Sequence, residues 1–407
     1  MPRPMGTERK TSILVPIKPF EERMVRGGRE IVQIKARDKR RMRRTFVRRS
    51  EARGVQRRDA EFINAPLGVR IANAAEASQP ASILDHSIVP VLGLAVLLLA
   101  AGCMPEASNR ENRSAASVTI TRTEDGYLFA EDSDSVMLYR DRALHPEREF
   151  ARAHYVHPLI GPRGEILTED SPADHPHQHG LYWAWHQVYV GDQRVGDGWI
   201  QEDISWNVRD VEVLEGVASS ALRAHVSWLS PQYLSADVEH EPFVDETATF
   251  RVFPRADGQR QIDVTIELRA LVDSVRIGGS EDEKGYGGFS ARIRLPQDIR
   301  FVGRAGAVQP QNTAVEAGEW LDMSATFGEQ GPTGLAILQH PSNPGYPQPW
   351  ILRNADSMQN VKWPGADPVV LPLDEPITLR YRLILHDGLV DAATLEELHA
   401  QYASVDH

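Results

Sequence analysis

Apolar and polar residues alternate with a period of two along most of the chain after residue 116. The pattern is clearest in residues 222–228, 250–254, 262–268 and 377–385, and turn signals such as residues 256–258 separate these segments. Alternation of this kind buries one face of a β-strand and leaves the other face in water. Strands of an antiparallel sandwich have this pattern.

One helix is predicted at the end of the chain. Leu395, Leu398 and Tyr402 share one helical face, and Asp391 is placed to cap the first turn. Residues 116–407 are too many for a minimal sandwich of about 100 residues. The pattern therefore predicts an all-β fold, a large antiparallel two-sheet sandwich with a short C-terminal helix.

Charge is divided unevenly along the chain. Residues 1–70 hold 20 lysines and arginines against 8 acidic residues, whereas the rest of the chain holds 25 against 49. The acidic majority argues against nucleic-acid binding by the main domain, because phosphate contacts need clustered Lys and Arg. Three interpretations of the basic residues 1–80 stay open: a targeting or nucleic-acid arm, a disordered segment, or a start codon assigned too early. We expect the third.

An apolar segment lies within residues 81–103. Residues 88–99 carry no charge and form a run that is short for a membrane span, which is typical of a signal peptide. The run ends in Leu99-Ala100-Ala101-Gly102-Cys103, which resembles a bacterial lipobox, and Cys103 is the only cysteine. We expect Cys103 to be lipidated and to hold the domain outside the cytoplasm, with a plain membrane anchor as the alternative.

The resulting organisation has a tether over residues 104–115 and a β-sandwich domain over residues 116–407. With no second cysteine, the domain has no internal disulfide and relies on its hydrophobic core.

Seven of the 14 histidines lie between His145 and His186, and the densest stretch runs from Asp174 to Gly180. In an extended backbone His175, His177 and His179 would point to one side. Three imidazoles on one face suit a divalent metal or acid–base chemistry near neutral pH, although hydrogen-bonded structural histidines are the plain alternative. Pro176 argues against a regular central strand, so we expect a loop or the start of a strand.

The eight tryptophans lie between Trp183 and Trp363, and Trp183 and Trp185 share a face if they lie on a strand. Aromatic faces beside polar groups suit sugar rings. A tryptophan-rich core is the alternative interpretation.

Two further segments carry candidate side chains. Residues 280–290 are rich in glycine, which permits close backbone approach, and contain Lys284 among three acidic residues. Residues 340–350 contain four prolines, which make the backbone rigid, together with His340, Asn343 and Trp350. Each segment is either the rim of a binding pocket or a loop packed for stability.

Four segments together resemble a known bacterial family: His157-Pro158-Leu159 and residues 174–185, 284–289 and 340–350. This is the family labelled "PmoA-like" or "methane oxygenase", and the similarity covers roughly residues 135–390. Gln178-His179 stands where many members have His-Arg.

The resemblance implies a supersandwich like that of galactose mutarotase and, by analogy, a role on carbohydrate. We do not expect methane oxygenation, because such a subunit spans the membrane several times and this chain has a single apolar run.

We therefore predict an exported lipoprotein that binds or processes carbohydrate, with possible acid–base chemistry on a sugar. The candidate catalytic residues are Asp174, His175, His177, Lys284 and His340, and the candidate substrate-binding residues are His157, His179, Trp185, His186, Asn343 and Trp350.

Two alternatives stay open. One is a non-catalytic glycan-binding or scaffold lipoprotein, and the other is a metal-dependent enzyme that uses His175, His177 and His179. The chain shows no serine-hydrolase elbow, phosphate loop or dinucleotide fingerprint, so no motif requires a cofactor. The expected partners are a carbohydrate and the membrane, not nucleic acid.

Overall fold

The computed structural model describes residues 117–147, 149–233 and 241–405. The predictions for the basic residues 1–80, the apolar segment, Cys103 and the tether lie outside the described residues. Within the described part, no helix is both long enough and apolar enough to cross a membrane.

The described residues form 21 strands and one helix. The strands are β1 (Val118–Thr123), β2 (Gly126–Glu131), β3 (Asp134–Arg140), β4 (Tyr155–Leu159), β5 (Leu181–Ala184), β6 (Gln187–Val190), β7 (Gln193–Gly196), β8 (Ser205–Leu214), β9 (Ser220–Leu229), β10 (Val244–Val252), β11 (Gln259–Ala270), β12 (Val275–Gly278), β13 (Gly288–Ala291), β14 (Arg300–Gly303), β15 (Gly306–Ala307), β16 (Trp320–Ala325), β17 (Thr333–Gln339), β18 (Trp350–Ile351), β19 (Gln359–Val361), β20 (Val369–Val370) and β21 (Ile377–Asp387). The helix is α1 (Ala392–Ala403).

The strands build two large antiparallel sheets and one small one. Nine strands pair in the order β15-β14-β16-β17-β21-β11-β10-β9-β8, and eight in the order β1-β2-β3-β4-β5-β13-β19-β18. The third sheet, β20-β12-β6-β7, has four short strands and was not predicted from the sequence. The prediction of a large antiparallel sandwich is confirmed.

The alternation seen in the sequence fixes the register of the nine-stranded sheet. Phe250 on β10 pairs with Leu222 on β9 and with Val264 on β11, which pairs in turn with Tyr381 on β21. All four side chains are buried. A shift by one residue would expose this apolar row, so burial specifies the register.

The main core lies between the two large sheets. Trp183 from the eight-stranded sheet packs 6.1 Å from Phe250, and Phe289 stacks 4.6 Å from Tyr381, between ring centroids. The predicted helix is also confirmed. Asp391 accepts a hydrogen bond from the backbone of Thr394, and α1 covers the outer face of the nine-stranded sheet with its buried side chains.

Candidate functional site: a cleft lined by histidines

A polar cleft of about 300 Å³ opens on the outer side of the eight-stranded sheet. Strand β5 explains its position, because Trp183 faces the main core while Tyr182 and Ala184 face outward into a small second apolar cluster. Trp199 and Met358 extend that cluster to the cleft. The lining residues are His175, His177, Gln178, His186, Trp199, Ile200, Lys284, Tyr286, Arg353, Ser357 and Met358.

The histidine segment forms two successive turns, not an extended strand. The amide of His175 donates to the carbonyl of Pro172, and the amide of Gln178 donates to the carbonyl of His175. The amide of Ser171 closes the loop on the carbonyl of Gln178. The loop expected from Pro176 is therefore what forms, and the extended backbone that would point His175, His177 and His179 to one side is not present, because turns do not alternate as strands do.

Arg292, directly after β13, fixes this loop to the sheet. The guanidinium is 3% exposed and donates to Glu169 over 2.9 Å, to Gln178 over 3.0 Å and to Asp174 over 2.7 Å. Three partners in one plane use the fork geometry of arginine. The loop is thereby held in place by a residue that lies outside the cleft.

His175 and His177 lie side by side in the cleft wall. Their ring centroids are 5.7 Å apart, and His175 Nδ1 is 2.9 Å from the carboxylate of Asp174. Burial and, after it, the neighbouring imidazoles of His175 and His186 together lower the pKa of His177 to about 4. His177 is therefore a neutral imidazole at physiological pH.

His186 is held by a carboxylate. Its Nδ1 is 2.9 Å from Asp197 Oδ2, while Asp197 Oδ1 accepts from the backbone amides of Trp199 and Ile200. A carboxylate only accepts hydrogen bonds, so Nδ1 carries a proton, and in the neutral imidazole the lone pair lies on Nε2. Nε2 is buried and has no hydrogen-bond partner in the described part of the chain.

Aromatic rings surround His186. Its ring stacks on Trp199 at 5.4 Å, and the edge of Tyr286 approaches both rings at 4.9 Å. Trp199 is almost fully buried, whereas Tyr286 is partly exposed and lines the cleft. Tyr286 is therefore the aromatic side chain that a ligand in the cleft would contact.

His157 and His179 form a separate group on the other side of the histidine loop. His179 is 4% exposed, and its Nδ1 is 2.7 Å from Asp170, which also accepts from the hydroxyl of Tyr155. His157 Nδ1 is 3.0 Å from Thr168. Burial lowers the pKa of both imidazoles. Neither residue lines the cleft, which corrects their expected place in it.

His179 lies apart from His175 and His177, which also tests the hypothesis that these three histidines bind a metal ion. Within the described ranges, no group of three His, Cys, Asp or Glu side chains is arranged to hold a metal ion. The set His175, His177 and His179 is therefore not a metal site in this geometry.

The expectation that Trp185 or Trp350 stacks on a sugar is wrong. Both side chains are 0% exposed. Trp185 donates from Nε1 to the carbonyl of Trp363, and Trp350 pairs with Val361 between neighbouring strands. Trp183 and Trp185 do share a face, but that face is the core.

The segment that carries His340 and Asn343 lies against β21 and α1. The amide of Asn343 exchanges two hydrogen bonds with the backbone of Arg380, at 2.8 and 2.7 Å. The ring of His340 packs edge-on at 5.2 Å from Tyr402 of α1. Neither side chain lines the cleft, so both are corrected to packing positions.

Asp197, Tyr286 and Arg353 were missed from the sequence. Asp197 lies beside His186 because the β6–β7 hairpin pairs Val188 with Gly196, and this hairpin was not predicted from the sequence. Arg353 lies in the loop between β18 and β19, for which the sequence shows no pattern.

A larger groove of about 940 Å³ lies around Glu131 and Arg260. The Glu131 carboxylate accepts hydrogen bonds from the guanidinium of Arg260, over 2.6 Å, and from the backbone amide of Arg255. No histidine lines this groove. The histidine cleft is therefore the better candidate for chemistry.

Comparison with known proteins gives a family but no activity. No curated protein matches the sequence. Among solved structures, a "putative mutarotase" (YeaD) from Salmonella typhimurium matches at 8% identity over 67% of this chain and 94% of that chain. Its TM-score of 0.26 is too low to support a conclusion.

A family model matches residues 128–400, and it is described as a family of unknown function, DUF6807. The resemblance to the PmoA-like family stays a prediction. The match spans the β-sandwich from β2 to α1, and the chain belongs to the DUF6807 family.

Proposed function

We propose that the cleft binds a carbohydrate and transfers a proton on it, with His186 as the base. The observation that carries the proposal is the unpartnered Nε2 of His186. A buried polar atom without a partner costs about 1–3 kcal/mol, and such atoms in native proteins call for an explanation such as catalysis. Asp197 holds the ring so that its lone pair belongs to Nε2.

The chemistry that this arrangement supports is proton removal from a sugar hydroxyl. His186 Nε2 takes the proton, and the carboxylate of Asp197 stabilises the imidazolium that forms. We assign the return of a proton to His175, whose ring Asp174 orients. His177, neutral at physiological pH, serves as a hydrogen-bonding neighbour. In the opening of a sugar ring, the anomeric hydroxyl loses its proton to His186, the bond between the anomeric carbon and the ring oxygen breaks, and the ring oxygen takes a proton from His175; closing reverses these steps.

Size and lining support a sugar as the ligand. A volume of about 300 Å³ lies at the lower end of the range of ligand pockets, which is about 300–1,000 Å³. One or two sugar units fit this range. The imidazoles, Gln178 and Ser357 offer polar partners for hydroxyl groups, and Tyr286 offers an aromatic surface for C–H groups.

The experiment is a screen for anomer interconversion. Proton NMR exchange spectroscopy on a panel of aldoses, with the purified domain of residues 116–407, measures the rate for the wild type and for His186→Ala. We expect a rate above the uncatalysed one that His186→Ala lowers by about 100-fold or more, with an unchanged melting temperature. Binding without turnover in the wild type would favour a glycan-binding protein instead.

The proposal places this chemistry outside the cytoplasm, with the domain anchored through a lipid on Cys103. The apolar residues 88–99 and the single cysteine support this part. Fractionation of cells that express the whole chain tests it. Cys103→Ala should move the protein from the membrane fraction to the soluble fraction, and an unchanged distribution would contradict the lipid anchor.

A further inference from the structure

The formally charged side chains that line the cleft are both cations. Lys284 and Arg353 line it, and no carboxylate does among the described residues. The chain after residue 70 carries 49 acidic residues against 25 basic ones. The lining of the cleft is therefore positively charged, although the chain after residue 70 is acidic. Because the two charges differ in sign, the lining bears on the charge of the ligand.

Two carboxylates beside the cleft histidines are turned to partners behind the cleft wall, and a third lies beside Lys284. Asp174 accepts from Arg292 and Asp197 accepts from two backbone amides, in addition to the histidine that each holds. Asp282 accepts from Ser280 at 2.7 Å and lies 3.4 Å from the Lys284 ammonium. Asp174 and Asp197 orient cleft groups and are not among the lining side chains, whereas Asp282, whose side chain is half exposed, offsets part of the charge of Lys284.

Arg353 is the less compensated of the two cations. Its guanidinium donates to the backbone carbonyls of Gln311, Leu352 and Asn312, at 2.7, 2.8 and 3.1 Å. Within the described residues, no carboxylate comes within ion-pair distance of it. The carbonyls fix the position of the group but leave its charge for a ligand.

Both cations line the cleft together with Tyr286. The Lys284 ammonium is 6.0 Å from the centroid of the Tyr286 ring. A sugar that contacts Tyr286 would therefore place one of its substituents near both positive charges.

We infer that the cleft takes an anionic sugar, whose carboxylate or phosphate binds between Lys284 and Arg353. The inference rests on the proposed function and specifies its substrate class. Arginine and lysine both form charge-assisted hydrogen bonds with these anions, and such bonds are stronger than neutral ones. The anionic group holds the ring, and His186 acts on a hydroxyl elsewhere on it.

The test is calorimetric binding with matched sugars. Glucose, glucuronate and glucose 6-phosphate, and the three galactose counterparts, are titrated into the domain and assayed for turnover. At least one anionic sugar should bind about tenfold tighter than its neutral counterpart. Preference for the uronate or for the phosphate identifies the anion, and either result supports the inference.

Variants of Arg353 and Lys284 test whether these two residues cause the preference for an anionic sugar. Arg353→Gln and Lys284→Gln should each weaken binding of the anionic sugar about tenfold and leave the neutral sugar unchanged, while Arg353→Lys keeps most of the affinity. Lys284→Gln covers the case in which loss of Arg353 disturbs its loop. Arg251→Gln, on an exposed face of β10, changes the net charge equally and should have no effect.

Two outcomes would overturn the inference, and they differ in whether the proposed function also fails. If neutral and anionic sugars bind and turn over equally, and both glutamine variants match the wild type, the anionic preference is wrong while the proposed function stands. If no sugar of either kind binds or turns over, the proposed function and the inference fall together.

Discussion

Histidine–carboxylate pairs recur in this domain, and the second ring nitrogen distinguishes the pair of His154 from the pair of His186. His154 binds Glu246 through Nε2 and the hydroxyl of Tyr139 through Nδ1, each over 2.7 Å, so both nitrogens are used inside the core. His186 binds Asp197 through Nδ1 and leaves Nε2 without a partner in the described part of the chain. Both ring nitrogens of His154 therefore have partners without a ligand, whereas Nε2 of His186 has none among the described residues.

Replacing Asp197 with Asn should invert the tautomer of His186. The amides of Trp199 and Ile200 need an acceptor, so the Asn oxygen stays with them and the NH₂ group faces Nδ1. Nε2 then carries the proton and cannot act as a base. We expect sugar turnover to fall by about 100-fold or more, measured by NMR exchange.

Asp170→Asn is the matched control for this prediction. It makes the same change in the carboxylate pair of His179, which lies outside the cleft. Turnover in this variant should match the wild type. Equal loss in both variants would contradict a specific role for Asp197.

His177 makes stability depend on pH in a defined window. Its pKa is about 4 in the folded protein, against an ordinary value of 6.5. Between these values the unfolded chain binds a proton that the folded protein does not, so stability is lost as the pH falls from about 6.5 to 4. Below about pH 4 both states are protonated and the loss from this group is complete.

His177→Gln removes this titration and should reduce the fall in melting temperature between pH 6.5 and pH 4, as measured by scanning calorimetry. His145→Gln, at an exposed histidine, is the control and should behave as the wild type does. Parallel curves for the His177→Gln variant and the wild type would mean that His177 does not stay neutral in the cleft.

At the scale of elements, the sequence predicts strands well where one face is buried. Strand β10 alternates between buried and partly exposed positions over most of its length, and the alternation is visible in its residues. The third sheet could not be predicted, because its strands have two to four residues and show no period. The position of Arg353 could not be predicted either, since its loop is placed by contacts far away in the sequence.

The histidine loop shows how a period-two interpretation fails. The spacing of His175, His177 and His179 would place the three rings together only in a strand. Hydrogen bonds within the loop make two turns instead, and His179 points to the opposite side. The sequence singled out the segment as a candidate site, but Pro176 argued only against a strand and could not show which histidines share the cleft.

Arg292 is expected to control this loop from a distance. Replacing it with Met removes the hydrogen bonds to Glu169, Gln178 and Asp174. We expect a loss of about 1–3 kcal/mol in the free energy of unfolding. We also expect faster amide hydrogen exchange in residues 172–178 and slower turnover.

Arg294→Met is the control for this prediction, because within the described residues Arg294 makes only long contacts of 3.4 Å to backbone carbonyls. It should leave exchange in the loop unchanged. An unchanged exchange rate in Arg292→Met would show that the loop is held by its own turns alone.

At the scale of the whole molecule, a buried carboxylate joins the two large sheets. Glu246 on β10 accepts from the indole of Trp183 on β5 and from the indole of Trp228 on β9, both over 2.6 Å. It also binds His154. All these side chains are almost fully buried, so the tryptophans that suggested a sugar site instead hold the sandwich together.

Glu246→Gln should therefore destabilise the fold without touching the cleft. The amide has one acceptor where the carboxylate has two, while three donors point at it. We expect the free energy of unfolding to fall by about 3 kcal/mol in urea denaturation. Glu267→Gln on the neighbouring β11, where the side chain is partly exposed, should change it little. A smaller effect at Glu246 than at Glu267 would contradict this role.

The proposed function depends on the protonation of one ring, and long-range ¹H–¹⁵N spectra of the histidines measure it directly. With the His186 signals assigned by His186→Gln, we predict that the neutral ring carries its proton on Nδ1 and its lone pair on Nε2, and that addition of a sugar which turns over shifts the Nε2 resonance. A proton on Nε2 in the free protein, or an Nε2 resonance that saturating sugar leaves unchanged, would contradict the assignment of His186 as the base.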